Sequence, residues 1–237
     1  ARASDAGRGL RTVCASQCST RVATRARRVV PRKAMGEERS ETPRAATVRR
    51  QTSETDVEVS VRLDGPAQGA IVTPLPFLSH MLEQLQRHGG LGLEVRATGD
   101  THIDGHHTTE DIAITLGRAV SQALGDKRGI RRYGEATVPM DEALLQAVID
   151  LSGRTYYVER LGLAKATLGG HFDTELTTVF FEGFARGAQC NLHVRKLEGE
   201  LLHHVIEGSF KAFARALRQA VSVEGTALAS TKGTLTE

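Results

Sequence analysis

The stretch His106-His107-Thr108-Thr109-Glu110 has the pattern His-His-x-x-Glu, which recurs 97 residues later as His203-His204-Val205-Ile206-Glu207. Both copies of this His-His-x-x-Glu motif run into the same pattern, Arg-Ala-x-x-Gln-Ala, which begins at Arg118 and again at Arg215. A repeat of this length is typical of a protein built from two similar units. We therefore expect two half-domains of one architecture, each with one motif.

The elements around the two motifs follow one order: a helix, an alternating strand, a short polar loop and a long amphipathic helix. Leu93-x-Val95-Arg96 matches Leu192-x-Val194-Arg195 at an offset of 99, so the loop before the second motif is two residues shorter. The sequence thus predicts a mixed α/β fold. The expected helices are 78–88, 106–124, 175–185 and 203–221, and the expected strands are 56–63, 91–97, 143–151, 155–161 and 189–197.

With 237 residues, of which 40% are hydrophobic, the chain is long enough for one or two small domains with real cores. No apolar run approaches the roughly 18 to 20 residues that a membrane span needs, so no membrane partner is expected. Cys14 and Cys18 lie near the N-terminus and Cys190 stands alone. These cysteines form no disulfide framework, which indicates a reducing compartment.

The first 34 residues differ in charge from the rest, since they hold nine Arg or Lys and a single acid, Asp5. Their Arg-, Ala- and Ser/Thr-rich composition is typical of transit peptides, with a basic tail of another purpose as the alternative. We expect the protein to be located in the plastid (chloroplast) stroma, with the mitochondrion as the weaker alternative. The remainder has 22 basic and 27 acidic residues, a net charge of about −5, so no nucleic-acid partner is expected.

These patterns divide the chain into three parts. Residues 1–48 are the expected leader or transit peptide, 49–140 the first half-repeat, and 141–237 the second half-repeat with a C-terminal tail. The tail contains Ser230-Thr231-Lys232-Gly233, which follows the last helix and is expected to be mobile unless a ligand orders it.

The paired motif favours metal binding. Residues i and i+4 share a helix face, so His106 and Glu110 can hold one cation while His107, rotated by about 100°, points elsewhere. His203 and Glu207 repeat this geometry. Neither copy completes a site alone, which predicts that each borrows a histidine from the other motif, within a chain or between subunits. Imidazole with carboxylate suits Mn, Fe or Zn, whereas the alternative is a set of hydrogen-bonded core histidines.

Other polar residues are candidates for an anionic ligand. Arg132, Arg154 and Lys211 lie on expected loops and helix ends, and Ser230 with Lys232 is a plausible phosphate site. The alternative is that they are solvated surface side chains, as scattered basic residues mostly are.

Beyond the paired motif, several longer stretches have a distinctive residue order. In the first half they are Pro76-Phe77-Leu78-Ser79-His80-Met81-Leu82-Glu83-Gln84, His88-Gly89-Gly90 and Ala97-Thr98-Gly99-Asp100-x-His102-Ile103-Asp104. Further along they are Pro139-Met140-Asp141-Glu142-Ala143, Asp150-Leu151-Ser152-Gly153-Arg154, Phe210-Lys211-Ala212-Phe213-Ala214-Arg215 and Ser230-Thr231-Lys232-Gly233. Together these stretches resemble the imidazoleglycerol-phosphate dehydratase family over about residues 49–235.

This resemblance implies an activity, a fold and an assembly. The activity is a hydro-lyase step of histidine biosynthesis, in which imidazole glycerol phosphate loses water to give imidazole acetol phosphate. The fold is an internally duplicated, ribosomal-S5-domain-2-like α/β (α+β) sandwich of two half-domains, each with a sheet and helices. The assembly is a homo-oligomer of 24 subunits with two Mn(II) ions per active site.

The resemblance also assigns roles to residues. The implied metal ligands are His80, His106, His107, Glu110, His203, His204 and Glu207. The implied substrate contacts are Glu54, Gln84, His88, Arg132, Arg154, Lys211, Ser230 and Lys232. The implied catalytic residues are Glu54, Glu110, Glu207 and His88, and Glu54 is the first candidate for moving protons.

Two residues depart from the family pattern. The repeat places Val179 opposite His80, where the family has a ligating side chain, and Val cannot coordinate a metal. Water, His171 or His193 would then have to fill that position. Ser79 stands where the family usually has Asp, which orients the adjacent histidine. These two departures support the alternative, a non-catalytic, metal-stapled assembly protein on the same fold. The candidate phosphate-binding residues and both His-His-x-x-Glu motifs support the enzyme instead.

Overall fold

The chain alternates strands and helices in an order that repeats. The computed structural model describes residues 43–169 and 171–235. The strands are β1 (Ala45–Gln51), β2 (Thr55–Arg62), β3 (Ile71–Val72), β4 (Gly92–Gly99), β5 (Tyr133–Met140), β6 (Ala143–Asp150), β7 (Tyr156–Arg160), β8 (Thr167–Leu168), β9 (Phe172–Asp173) and β10 (Asn191–Glu198). The helices are α1 (Pro76–Gly89), α2 (His106–Leu124), α3 (Leu176–Ala188) and α4 (Leu202–Ala220).

Two four-stranded sheets share one topology. Their strand orders are β1-β2-β4-β3 and β5-β6-β10-β7. In each sheet the first three strands pair antiparallel, whereas the short fourth strand lies parallel to its neighbour. The second sheet is therefore a copy of the first, and the predicted duplicated two-half-domain α/β fold is confirmed.

Each sheet buries one face, as strict alternation along its central strands requires. In β2 the buried side chains include Val57 and Val59, and in β6 they include Leu145 and Ala147, while the residue between each pair is more exposed. The buried faces receive the helices: α2 packs on the first sheet and α4 on the second. Burial of these branched side chains supplies much of the stabilisation of each half.

The helices join the two halves. The first helix of each half packs against the second helix of the other half, so that α1 lies on α4 and α3 lies on α2. Phenylalanines of α3 and α4 fill the space between these pairs: the ring centroids of Phe181 and Phe210 are 4.8 Å apart, as are those of Phe184 and Phe213. All four rings are fully buried, so the two halves share one core.

The helix predictions agree closely with the structure, since α2 spans the predicted 106–124 and the other three helices differ by a few residues at their ends. The strands β1, β3, β5, β8 and β9 were not predicted. β1 includes residues 45–48 of the expected leader, and β5 belongs to the second sheet although it precedes residue 141. Residues 1–42 of the predicted leader lie outside the described residues. In the part of the chain described, no helix is both long and apolar enough to cross a bilayer.

Candidate metal centre and substrate-binding residues

A histidine–carboxylate cluster forms where α1 crosses α4. His203 and Glu207 are one turn apart on α4, and the His203 Nε2 atom lies 3.1 Å from Glu207 Oε2. His80 of α1 brings its Nε2 atom to 3.3 Å from the same oxygen. One ligand atom from each of these three residues lies within 4.8 Å of the others, the only such group among the described residues. Two imidazoles and one carboxylate fit a divalent first-row cation.

The carboxylate of this cluster is held in its charged form. Glu207 is buried, which disfavours its charge, but Lys211 donates from Nζ to Oε1 at 2.8 Å. This bond and those from the two histidines outweigh burial and lower the pKa of Glu207. Gln84 lies 3.5 Å from His80 Nδ1. Burial and the positive charges of Lys211 and Arg215 lower the pKa of His88 on the same helix.

The second histidine of each motif points to a different carboxylate, as helix geometry predicts. His107 Nδ1 lies 2.9 Å from Asp100 Oδ2 and 3.7 Å from Glu54 Oε2. The hydrogen bond with Asp100 raises the pKa of His107. The other oxygen of Asp100, Oδ1, is buried and has no hydrogen-bond partner among the described residues. A carboxylate bonded to Nδ1 fixes the ring and presents Nε2 for another contact.

His204 in the second half also has a carboxylate partner. Its Nδ1 atom lies 2.7 Å from Glu142 Oε2, and Glu142 also accepts a bond from the Leu201 amide at 3.0 Å. These two bonds lower the pKa of Glu142 to about 2. Glu142 and Glu54 occupy the same place in the two halves, since each directly precedes the second strand of its sheet. Sequence reasoning assigned no role to Asp100 or Glu142, because their partners lie 7 and 62 residues away.

The first motif does not form the same cluster. His106 is exposed, and its backbone amide donates to Asp104 Oδ1 at 2.8 Å. Glu110 instead accepts a hydrogen bond from Arg186 Nη2 of α3 at 3.0 Å. Val179 is half-buried on the same helix as Arg186. The predicted ligands His106 and Glu110 thus lack the third partner that His80 gives to the second motif.

His171 and His193, which were expected to replace the ligand missing at Val179, lie in two separate clefts. His193 lines a cleft on the second sheet with Gln146 and Arg160, away from the helices that carry the motifs. His171 lines a cleft with Asp104, Gly105 and other residues near the start of α2. The Ser79 hydroxyl lies 2.9 Å from that of Thr73, so Ser79 contacts the preceding loop rather than orienting His80.

The candidate anion-binding residues of the tail meet at the far end of α4. Arg132 donates to both carboxylate oxygens of Asp150, at 2.7 and 3.0 Å, and to the Ala229 carbonyl at 2.6 Å. The next residue, Ser230, accepts a bond from the Lys232 amide at 3.2 Å. Arg132 is therefore joined to the tail that carries Ser230 and Lys232. Arg154 is exposed in the turn after β6.

Within a single chain, the metal cluster and the candidate anion-binding residues lie at opposite ends of α4. The Arg132 amide donates to Ala220 at the C-terminal end of α4, whereas His203 lies near its N-terminal end. At 1.5 Å per residue, the 17 residue steps from His203 to Ala220 span about 25 Å. A small substrate cannot reach both groups in a single chain.

Fold and site together define a duplicated α/β protein whose helices carry a candidate divalent-metal centre. The sequence profile of imidazoleglycerol-phosphate dehydratase matches residues 73–217. The imidazoleglycerol-phosphate dehydratase of Hydrogenovibrio crunogenus is 52% identical over 195 residues, which cover 81% of this chain and 100% of the relative. That of Teredinibacter turnerae is also 52% identical, covering 81% and 98%.

Two solved structures have the same fold. The imidazoleglycerol-phosphate dehydratase of Staphylococcus aureus superposes with a TM-score of 0.68 at 37% identity, covering 76% of this chain and 99% of that chain. The IGPD of Pyrococcus furiosus, in complex with (S)-C348, has a TM-score of 0.68 at 35% identity, covering 79% and 99%. The chain therefore belongs to the imidazoleglycerol-phosphate dehydratase family, which confirms the resemblance, and it is a hydro-lyase.

Proposed function

We propose that this protein removes water from imidazole glycerol phosphate to give imidazole acetol phosphate in histidine biosynthesis, and that it depends on two Mn(II) ions per active site. The family supports the reaction, and the cluster of His80, His203 and Glu207 supports the metal. His106, His107, Glu110 and His204 complete the proposed ligand set. Bound cations would stabilise negative charge that develops on the imidazole ring.

The protein's own side chains would position the substrate and move its protons. Glu54 has a half-exposed carboxylate next to His107, so it can reach a substrate held there and act as acid or base. His88, with its lowered pKa, and Lys211 lie beside Glu207. Arg132, Arg154, Ser230 and Lys232 are the proposed phosphate contacts, and Gln84 is a further substrate contact. Fixing the phosphate orients the reacting carbon without taking part in bond breaking.

We propose that active sites assemble between copies of the chain. The phosphate-binding residues and the cluster lie about 25 Å apart along α4, so a second copy must supply one of the two groups. A closed homo-oligomer brings such surfaces together repeatedly, and the family resemblance makes 24 subunits the expected size. The basic leader supports import into the plastid stroma.

Metal-dependent turnover tests this proposal. The full chain should convert imidazole glycerol phosphate to the enolisable ketone product, lose this activity on chelation and regain it with Mn(II). Glu207→Gln keeps the shape of the side chain and should remove most activity, whereas Glu200→Gln on the exposed loop before α4 should not. Activity that survives complete removal of metal would contradict the metal dependence. A folded, metal-loaded oligomer without turnover would instead favour the non-catalytic assembly protein.

A further inference from the structure

The first helices of the two halves, α1 and α3, correspond to each other residue by residue. The strands that follow them, β4 and β10, are offset by 99 at both ends. The helices end on left-handed residues at the same offset, Gly90 with φ 65° and Gln189 with φ 50°. The buried and half-buried positions from 78 to 82 match those from 177 to 181. His80 and Val179 are therefore structural equivalents, and both are half-buried.

Val179 faces the first motif as His80 faces the second. A methyl group built on Gly105, just before His106, would lie 2.8 Å from a methyl carbon of Leu176. One built on Gly183 would lie 3.2 Å from the Glu110 carbonyl oxygen. Leu176 and Gly183 are three residues before and four residues after Val179, so all three share the face of α3 that lies on α2. Val179 thus stands between the contacts that flank His106 and Glu110.

The two halves consequently offer a cation different ligand sets. Where α1 meets α4, His80, His203 and Glu207 converge within 4.8 Å. Where α3 meets α2, Val179 supplies no donor atom, and Glu110 is bonded to Arg186 at 3.0 Å. A cation at this second position has one ligand fewer from its own chain. It must also compete with the Arg186 guanidinium for the Glu110 carboxylate.

From this difference we infer that each chain has one strong Mn(II) position, at α1 and α4, and one weak position, at α2 and α3. This inference rests on the proposed function only in taking Mn(II) as the cation. A histidine borrowed from another copy adds one ligand at either position, so it does not remove the difference. The weak position should bind at least about tenfold less tightly, since loss of even an outer partner of a ligand costs that much.

A Mn(II) titration tests the inference. The full-length oligomer is first stripped of metal with a chelator and then refilled stepwise, with free Mn(II) measured by electron paramagnetic resonance. Wild type should bind one Mn(II) per chain tightly and a second at least tenfold more weakly. Val179→His should make the second position tight. His80→Val should remove the tight class and leave two weak positions. Val72→His, the same substitution at an exposed position on β3, should leave the wild-type curve unchanged.

The outcomes separate this inference from the proposed function. Two Mn(II) per chain with a single affinity in wild type would overturn it, and His171→Ala would then show whether His171 replaces the missing ligand. A binding curve that Val179→His leaves unchanged in a folded oligomer would overturn it equally. Failure of the proposed function appears instead as an absence of turnover, which leaves these binding ratios unaffected.

Discussion

Each His-His-x-x-Glu motif has a second histidine that is fixed by a carboxylate from a strand end or turn. Asp100 holds His107 and Glu142 holds His204, both through Nδ1. Such a partner sets the direction in which the other ring nitrogen points and raises its basicity. The motif alone therefore specifies the identity of the ligands but not their orientation.

Removal of the Glu142 carboxylate should weaken metal binding. We expect Glu142→Ala to raise the Mn(II) dissociation constant of one position about 10- to 100-fold, because the His204 ring loses the acceptor that orients it. Glu142→Gln keeps an acceptor oxygen and should have a smaller effect. The same titration of Glu200→Ala, which removes a charge from the nearby exposed loop, is the control. Identical curves for wild type and Glu142→Ala would show that Glu142 does not orient His204.

The sequence could predict His106, His107, His203 and His204 as candidates, because adjacent histidines in a repeat are a local signal. It could not predict Glu142, because 62 residues separate it from His204 and the two residues meet only because α4 packs on β5 and β6. It likewise could not reveal that Arg186 forms an ion pair with Glu110, since that contact depends on how α3 lies on α2.

Close approach of α2 and α3 depends on glycines at their interface. A methyl group on Gly187 would collide with the Ile114 carbonyl oxygen, and one on Gly117 would lie 2.5 Å from the Phe184 carbonyl oxygen. We expect Gly187→Ala to lower the free energy of unfolding by about 1 to 3 kcal/mol, measured by urea denaturation, because the helices must separate. In Gly225→Ala the added methyl group meets no described atom within 4 Å, so that control should stay near wild type.

A buried lysine anchors the C-terminal tail. Lys127 is 1% exposed, and its Nζ atom donates to the Leu235 carbonyl at 3.1 Å. We expect Lys127→Met, which keeps the length but removes the donor, to free the tail. Trypsin should then cleave after Lys232 about tenfold faster, because a hydrogen bond from a charged group is lost. The loss of residues 233–237 is read from the intact mass.

Arg128→Met is the matched control for the tail experiment. It removes a basic side chain from the same loop, but its ion pair with Asp126 is exposed on the surface. Its cleavage after Lys232 should match wild type. If the Lys127→Met chain is cleaved at the wild-type rate, the bond to Leu235 does not hold the tail. If it is cleaved faster, a spectrum of this variant that matches that of the folded wild type would exclude general unfolding as the cause.

Elements with a strong periodic pattern were predictable, and elements that depend on pairing were not. The apolar positions of α2 and α4 recur with helical spacing, so the sequence alone locates both helices. By contrast, β5 contains Gly134 and Pro139, which disfavour strands, and it forms because β6 pairs along its full length. β1 lies at a sheet edge with few apolar residues, so its sequence resembles a loop.

At the level of the whole chain, the internal repeat predicted more than any single motif. It predicted the duplicated fold and the equivalence of Val179 and His80. It could not predict that the halves exchange helix partners, α1 with α4 and α3 with α2, because that arrangement follows from burial of the phenylalanines between them.

Fusion of the two halves in one polypeptide has an evolutionary consequence. In an assembly of separate identical halves, one nucleotide change would alter every equivalent position at once. Here a codon change at position 179 leaves codon 80 untouched, so the two halves can drift apart under different selection. The gene can thus retain one ancestral half while the other half acquires new side chains.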